Sequence, residues 1–310
     1  MQTQYDYSKF TEWMLLKKYS PKTVTSIIRI VEYFKGWAAT ENIFEPEEIS
    51  YSDAMMFMQW SSKHGASQKT IANYLNHIRK FYQFLMSEGT VKENPVAHIK
   101  VQGIKRKIYH DILNVEELRK LYNEYPTTIE YEPGKIIPPQ QKNILSRRRN
   151  KVILSLLIYQ GLRVEEVAAL HLQDLQLRAG KITIHSQRRT AARIMRLESQ
   201  QVYELMDYIH EVRKEFLQTN GATNKLFIQW KKGENFYGIT QMILAHLRKI
   251  NSRIKNFDQI RASVITQWLK QYDIRKVQYL AGHKYVSSTE QYKANNIDEL
   301  QDDITKYHPL

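Results

Sequence analysis

One stretch of this chain alternates with a period of two. In Lys181 to Leu197, KITIH runs out, Arg188 to Ala191 make a turn and AARIMRL runs back, the pattern of a hairpin with one buried side. Elsewhere apolar residues recur mostly three and four positions apart, the period of helices buried along a stripe. A chain so patterned cannot build a large sheet, so the expected fold is mainly α with a small β-hairpin. At 310 residues it exceeds what one hydrophobic core usually organises, and two domains are expected.

Residues 5 to 98 read as helices joined by short turns. Ser20-Pro21 offers a cap followed by proline at the first helical position, and Val24, Ile27, Ile28, Ile30, Val31 and Phe34 form a stripe running to Trp37. Ser52-Asp53 opens a run from Ala54 to Trp60. Ser67 opens a third, with Ile71, Tyr74, Leu75, Ile78, Phe81, Tyr82 and Leu85 as its apolar face and Lys69, Arg79 and Lys80 as basic residues placed to meet phosphate. Gly89 and Asn94-Pro95 end this domain, residues 1–98. Residues 99–112 read as a basic linker: Lys100, Lys105, Arg106 and Lys107 are interrupted by no acid before Asp111, so the segment suits a nucleic-acid backbone.

The second domain is expected over residues 113–310. Asn114 with Glu117 has the spacing of a capping box, and Pro126 to Ser146 reads as a long loop or insertion. Then KVILSLLIYQ, apolar on nearly every side, predicts a buried helix that stops at Gly161. Arg163 follows at the start of the next helix, where it is either paired, with Glu166 one turn on as the obvious partner, or functional. The hairpin concentrates Arg188, Arg189 and Arg193 without a compensating acid, so it is expected to reach into a groove or toward a scissile phosphate, with Arg189 and Arg193 as DNA contacts. Helices are expected at 199–219 and 240–250, with a short strand near Leu226 to Ile228 between them.

The stretch from Asp258 to Tyr292 carries the chemistry. It sets Arg261 on a helix, the turn Ala281-Gly282-His283 after the next helix, and Tyr292 nine residues past the histidine. Arginine holds an oxyanion bidentately, histidine donates a hydrogen bond or moves a proton, and a tyrosine hydroxyl can attack a phosphodiester. Beyond it, Asn296 to Tyr307 reads as a tail helix with Ile297, Leu300 and Ile304 in a narrow seam.

Charge points the same way. With 46 Lys and Arg against 32 Asp and Glu the formal charge is +14, which favours a polyanionic partner. No apolar run has the length of a spanning helix and no leader-like segment opens the chain, so no membrane role is expected. The absence of cysteine excludes disulfides and thiolate metal sites and fits a reducing, cytoplasmic setting. No cluster of histidines and carboxylates has ligand spacing, so neither metal nor cofactor is expected.

Taken together, YQGLRVEEVAAL, the basic hairpin, the arginine helix, LAGH and the tyrosine nine residues on, preceded by SPKT at Ser20, SQKT at Ser67 and NPV at Asn94, resemble the tyrosine recombinase or phage-type integrase family. That resemblance implies a helical core-binding domain and an α+β catalytic domain clamping double-stranded DNA. It makes Arg163 and Arg261 the phosphate-clamping arginines, Glu166 their supporting acid, His283 the LAGH-box histidine and Tyr292 the nucleophile. It further implies cleavage through a 3′-phosphotyrosyl link, a Holliday junction, and a homotetramer on paired sites formed from protomers that are monomeric or weakly associated when free. Two positions depart from the family pattern: Asp258 stands where a histidine is usual, and Arg188 is nearest the hairpin lysine. Arginine is a poor proton donor, so the alternative is a recombinase-like DNA-binding protein, impaired in catalysis, with an architectural or regulatory role. A type IB topoisomerase is a mechanistic neighbour, and the core-binding motifs favour recombination over it.

Overall fold

The computed structural model describes residues 6–104, 110–128, 140–187, 190–229 and 236–293. After α1 (Ser8–Leu16), the Ser20 hydroxyl accepts the Thr23 amide at 3.2 Å, and with Pro21 it starts α2 (Pro21–Thr40) where the sequence predicts. The next cap lies two residues earlier than expected. Ser50 and Asp53 exchange side-chain and backbone hydrogen bonds, so α3 spans Tyr51–Lys63 with Asp53 in its first turn. Ser67 caps α4 (Gln68–Ser87) as predicted. Each such cap contributes about 1 kcal/mol.

These helices bury one shared core. Val24, Ile27, Val31, Phe34 and Trp37 of α2 join Phe57 of α3, Phe10 and Met14 of α1, and Ile71, Leu75, Ile78, Phe81 and Leu85 of α4. The chain after α4 returns along it: Arg79 donates to the carbonyls of Val96 and Ile99 at 2.9–3.2 Å, and Asn94 donates to the Arg79 carbonyl.

The chain divides into two compact units, Met1–Ile108 and Tyr109–Leu310, and the division falls inside the basic segment read as a linker. In the second unit Asn114 and Glu117 close their capping box at the start of α5 (Val115–Asn123). Within the stretch expected to be irregular, α6 begins at Gln140 and runs to Tyr159, buried without a break from Val152 to Ile158, Ser155 included. It stops at Gly161, φ +55°, where an added methyl would lie 3.1 Å from both Trp268 and Val264. Glycine is required there twice over, for the left-handed backbone and for the close approach of a second helix.

The hairpin belongs to a three-stranded antiparallel sheet. β1 (Leu175–Gln176), β2 (Lys181–Ile184) and β3 (Arg193–Arg196) lie in that order, with Leu175 opposite Ile182 and Ile184 opposite Arg193. The short β1 has too few residues to show an alternation, which is why the sequence suggested two strands. α8 (Ser199–Asp207) passes through a π turn, Tyr208–Val212, into α9 (Arg213–Asn220). The strand expected at 226–228 is only a single bridge, Lys225 to His171. Helix α10 (Phe236–Ile250) starts earlier than predicted, and α11 (Phe257–Gln271), α12 (Ile274–Ala281) and α13 (Ser287–Glu290) complete the unit. The expected tail helix, 296–307, lies outside the described residues, and no described helix is long and apolar enough to cross a membrane.

Candidate active site

Four segments converge on the turn after α12. Gly282 ends that helix in the left-handed conformation, φ +66°, and its carbonyl accepts the Ala191 amide at 2.9 Å. Thr190 pairs with His283 in an isolated bridge. The return arm of the hairpin is thereby stitched to the LAGH turn. A methyl group at Gly282 would stand 2.2 Å from Arg193 Nη1, so glycine makes room for that guanidinium.

Arg193 corrects the sequence reading. It was expected to face DNA, but its side chain and that of Glu166 are both 0% exposed and form a bidentate ion pair at 2.8 and 3.0 Å. Glu166 takes Arg193 as its guanidinium partner, and from Arg163 it accepts the backbone N–H, at 2.9 Å. Burial alone would raise the Glu166 pKa; the hydrogen bonds and charge of Arg193, helped by the Arg163 amide and Arg261, hold it below the ordinary carboxylate value. The strand parity contained this information. Met195 and Leu197 face inward, and two residues earlier on the same strand Arg193 must do so too, while Ile194 is exposed.

Arg261 comes from the second turn of α11 and is 2% exposed. It donates to the carbonyls of Gly161 and Ala281, the latter at 2.6 Å, and to His283 Nε2 at 3.3 Å. Burial, and then the nearby Arg163 charge, pull its pKa down to about 10, so it stays cationic at neutral pH. His283 is buried. Its Nδ1 lies 2.9 Å from Thr289 Oγ1, and its ring stacks on Tyr292 with centroids 5.6 Å apart and planes 14° from parallel. Burial first, then the charges of Arg261, Arg163 and Arg193, lower its pKa to about 3. Tyr292 is half-buried against Ile265, Val277 and Ala281, on the turn that follows α13.

Arg163 occupies the N-cap position of α7 (Val164–Ala169) and is half-buried. Among the described residues its Nε, like those of Arg193 and Arg261, is buried without a hydrogen-bond partner. A buried donor left unpaired costs about 1–3 kcal/mol. Arg188 and Arg189, the expected hairpin-tip cations, lie outside the described residues, although Gln187 and Thr190 on either side exchange backbone hydrogen bonds at 3.0 and 3.3 Å. Asp258 is exposed in the first turn of α11, where a carboxylate complements the helix dipole, and among the described residues it pairs with neither arginine.

The expected DNA contacts outside this cluster divide. Lys69 is exposed, as a phosphate contact must be. Lys80 is half-buried, with its ammonium 4.8 Å from the centre of the Tyr19 ring. Arg79 is a correction: its N–H groups are engaged by Val96, Ile99 and Asn76, so it ties α4 to the returning chain. Lys105, Arg106 and Lys107 lie outside the described residues. Sequence reasoning missed Thr289, and also the buried pair Gln160 and Gln201, whose side-chain amides exchange two hydrogen bonds at 2.8 Å beside the Gly161 corner. Among the described residues no group of three or more histidines and carboxylates is placed to hold a metal ion.

Residues 140–299 match the phage integrase family and residues 9–89 the phage integrase N-terminal SAM-like domain. A tyrosine recombinase XerC of Chlorobaculum tepidum is 27% identical over 308 residues, covering 94% of this chain and 90% of that protein. A tyrosine recombinase XerD of Oceanobacillus iheyensis is 29% identical over 278 residues, covering 85% and 84%. In fold, the chain resembles the XerH site-specific recombinase bound to a palindromic difH substrate in a post-cleavage complex, with TM-score 0.65, 17% identity and coverage of 89% of this chain and 76% of that one. It also resembles a lambda integrase dimer bound to a COC′ core site, with TM-score 0.63, 13% identity and coverage of 93% and 94%.

Proposed function

This chain belongs to the phage integrase family, and we propose that it is a site-specific DNA recombinase whose nucleophile is Tyr292. The observation that carries the reading is the cluster itself: Arg163, Arg261, His283 and Tyr292 gather around one turn, with the charges of both arginines acting on the histidine and its ring stacked on the tyrosine. A scissile phosphate held by Arg163 and Arg261 would have the charge that grows in its phosphorane-like transition state offset by their guanidinium groups. The Tyr292 oxygen bonds to phosphorus, the bond from phosphorus to the 5′ oxygen breaks, and overall a proton passes from the tyrosine hydroxyl to that oxygen. The products are a 3′-phosphotyrosyl link and a free 5′-hydroxyl. Arg188, in the position of the family's hairpin lysine, supports the leaving oxygen by charge more than by proton donation. Asp258 serves the start of α11.

Lambda integrase is also seen as a tetramer on a Holliday junction. Paired sites, a tetramer and a junction intermediate are the corresponding assembly for this chain. The helical unit grips the duplex through Lys69, Lys80 and the basic segment containing Lys105, Arg106 and Lys107.

The test is a suicide substrate, a target duplex nicked so that the freed strand diffuses away. The wild type is expected to accumulate a covalent protein–DNA adduct that Tyr292→Phe abolishes. The second reading, an architectural DNA-binding protein, is favoured by Asp258 and Arg188 alone; site binding with no adduct from the wild type would establish it in place of the first.

A further inference from the structure

Residues 111–113, just before α5, are neither helix nor strand, yet four of their backbone groups are held by side chains. Gln259 Nε2 donates to the Asp111 carbonyl at 2.8 Å, Arg253 to the Ile112 carbonyl at 3.3 Å and Gln267 Nε2 to the Leu113 carbonyl at 3.3 Å, while the Leu113 amide donates to the Ser263 hydroxyl at 2.9 Å. Arg253 also grips the Asp111 carboxylate with two of its nitrogens. Buried backbone groups need partners, and here side chains supply what a strand would have found in a sheet. Three of them, Gln259, Ser263 and Gln267, stand four residues apart and so share one face of α11.

Arg261 lies two residues from Gln259 and two from Ser263, on the opposite side of the same helix. Every residue from Gln259 to Thr266 is buried, and Gln259 and Ser263 are 0% exposed. The Gln259 carboxamide further accepts the Lys255 amide at 2.7 Å and donates to the Arg253 carbonyl at 3.1 Å, which ties the first turn of α11 to the loop before it. A close-packed helix enclosed on all sides and fastened along one face cannot turn or slide without moving the side chain on the other. Resting on the recombinase reading, we infer that Gln259, with Ser263, is a positioning residue: by fastening residues 111–113 to α11 it sets the Arg261 guanidinium against the scissile phosphate. The support of the clamp thus reaches a segment 150 residues upstream.

The experiment uses the full chain and the nicked suicide duplex. Gln259→Met keeps the length of the side chain and removes its hydrogen bonds. Ser263→Ala removes one hydroxyl from a helix that favours alanine, so it keeps the test open if Gln259→Met does not fold. Each variant is expected to form adduct about 10- to 100-fold more slowly than wild type with unchanged site affinity. A duplex whose scissile phosphate carries a methyl group in place of one non-bridging oxygen is neutral there and leaves Arg261 less charge to offset, so most of that difference is expected to disappear. A folded variant that cleaves like wild type overturns the inference, as does an equal loss on both duplexes. Without DNA, the Arg261 Nε–H signal, assigned in ¹⁵N-arginine protein by its loss in Arg261→Lys, is expected to move in both variants; a signal that stays in place also overturns it. No adduct from the wild type would remove the recombinase reading and this role with it, whereas the Arg261 signal would still report whether the clasp sets the guanidinium.

Discussion

At the scale of the residue, His283 shows how place overrides type. A free histidine titrates near 6.5, whereas here burial and three arginines lower the pKa to about 3. Between those values the unfolded chain carries a proton that the folded chain refuses, so unfolding takes up protons and stability rises with pH. The contribution is complete above about pH 6.5 and is lost as pH falls through about 3. His283→Gln is therefore expected to remove about 2 kcal/mol of the loss in stability between about pH 7 and pH 5. Denaturant melts of both proteins across that range check this, and parallel stability curves would refute it. Arg193 and Arg79 teach the same lesson from the other side. Both were assigned to DNA because they are cations in a basic chain, and both spend their N–H groups inside the protein.

At the scale of the element, helix ends do the positioning. The caps at Ser20, Ser67 and Asn114 were legible because a cap needs one residue type three positions from its partner amide, all within one turn. The stops at Gly161 and Gly282 were legible as stops. What surrounds them was not, since Trp268 and Arg193 reach these glycines across long intervals of sequence. Gly282 stands in the left-handed region with a guanidinium where a methyl would go. Gly282→Ala is expected to cost about 2–4 kcal/mol through backbone strain and crowding. It should also slow adduct formation more than it weakens DNA binding, because the displaced group is Arg193, which holds Glu166 and through it the Arg163 amide. Thermal melting and single-turnover cleavage measure the two effects; a variant as stable and as fast as wild type would show that the turn has slack.

At the scale of the whole molecule, the charge of +14 is the feature that no single residue explains. The internal ion pairs do not reduce it, because each cancels an acid already counted: Arg148 pairs with Asp207 at 2.6 Å, Arg193 is buried on Glu166, and Arg253 is bound by Asp111 and Glu117. The excess therefore rests on the other cations, and where it meets phosphate it releases counterions on binding. Affinity for duplex DNA is expected to fall about 150-fold between about 50 and 200 mM salt if four phosphates are contacted, and more steeply for more contacts. Titrations at several salt concentrations give the slope, and a flat one would exclude backbone contacts as the source of affinity.

The sequence by itself determined the helical character, the place of the β element, the basic partner preference and the order of Arg163, Arg261, His283 and Tyr292, because periodicity, capping and composition act over a few residues. Only the tertiary structure decided which arginine holds Glu166 and which side chains meet the two ring nitrogens of His283. Those choices depend on burial and on contacts between segments up to a hundred residues apart, such as Arg261 on the Gly161 carbonyl. A buried charge is stable only with a partner, and a buried proton only with an acceptor. Folding selects both from groups that lie far away along the chain.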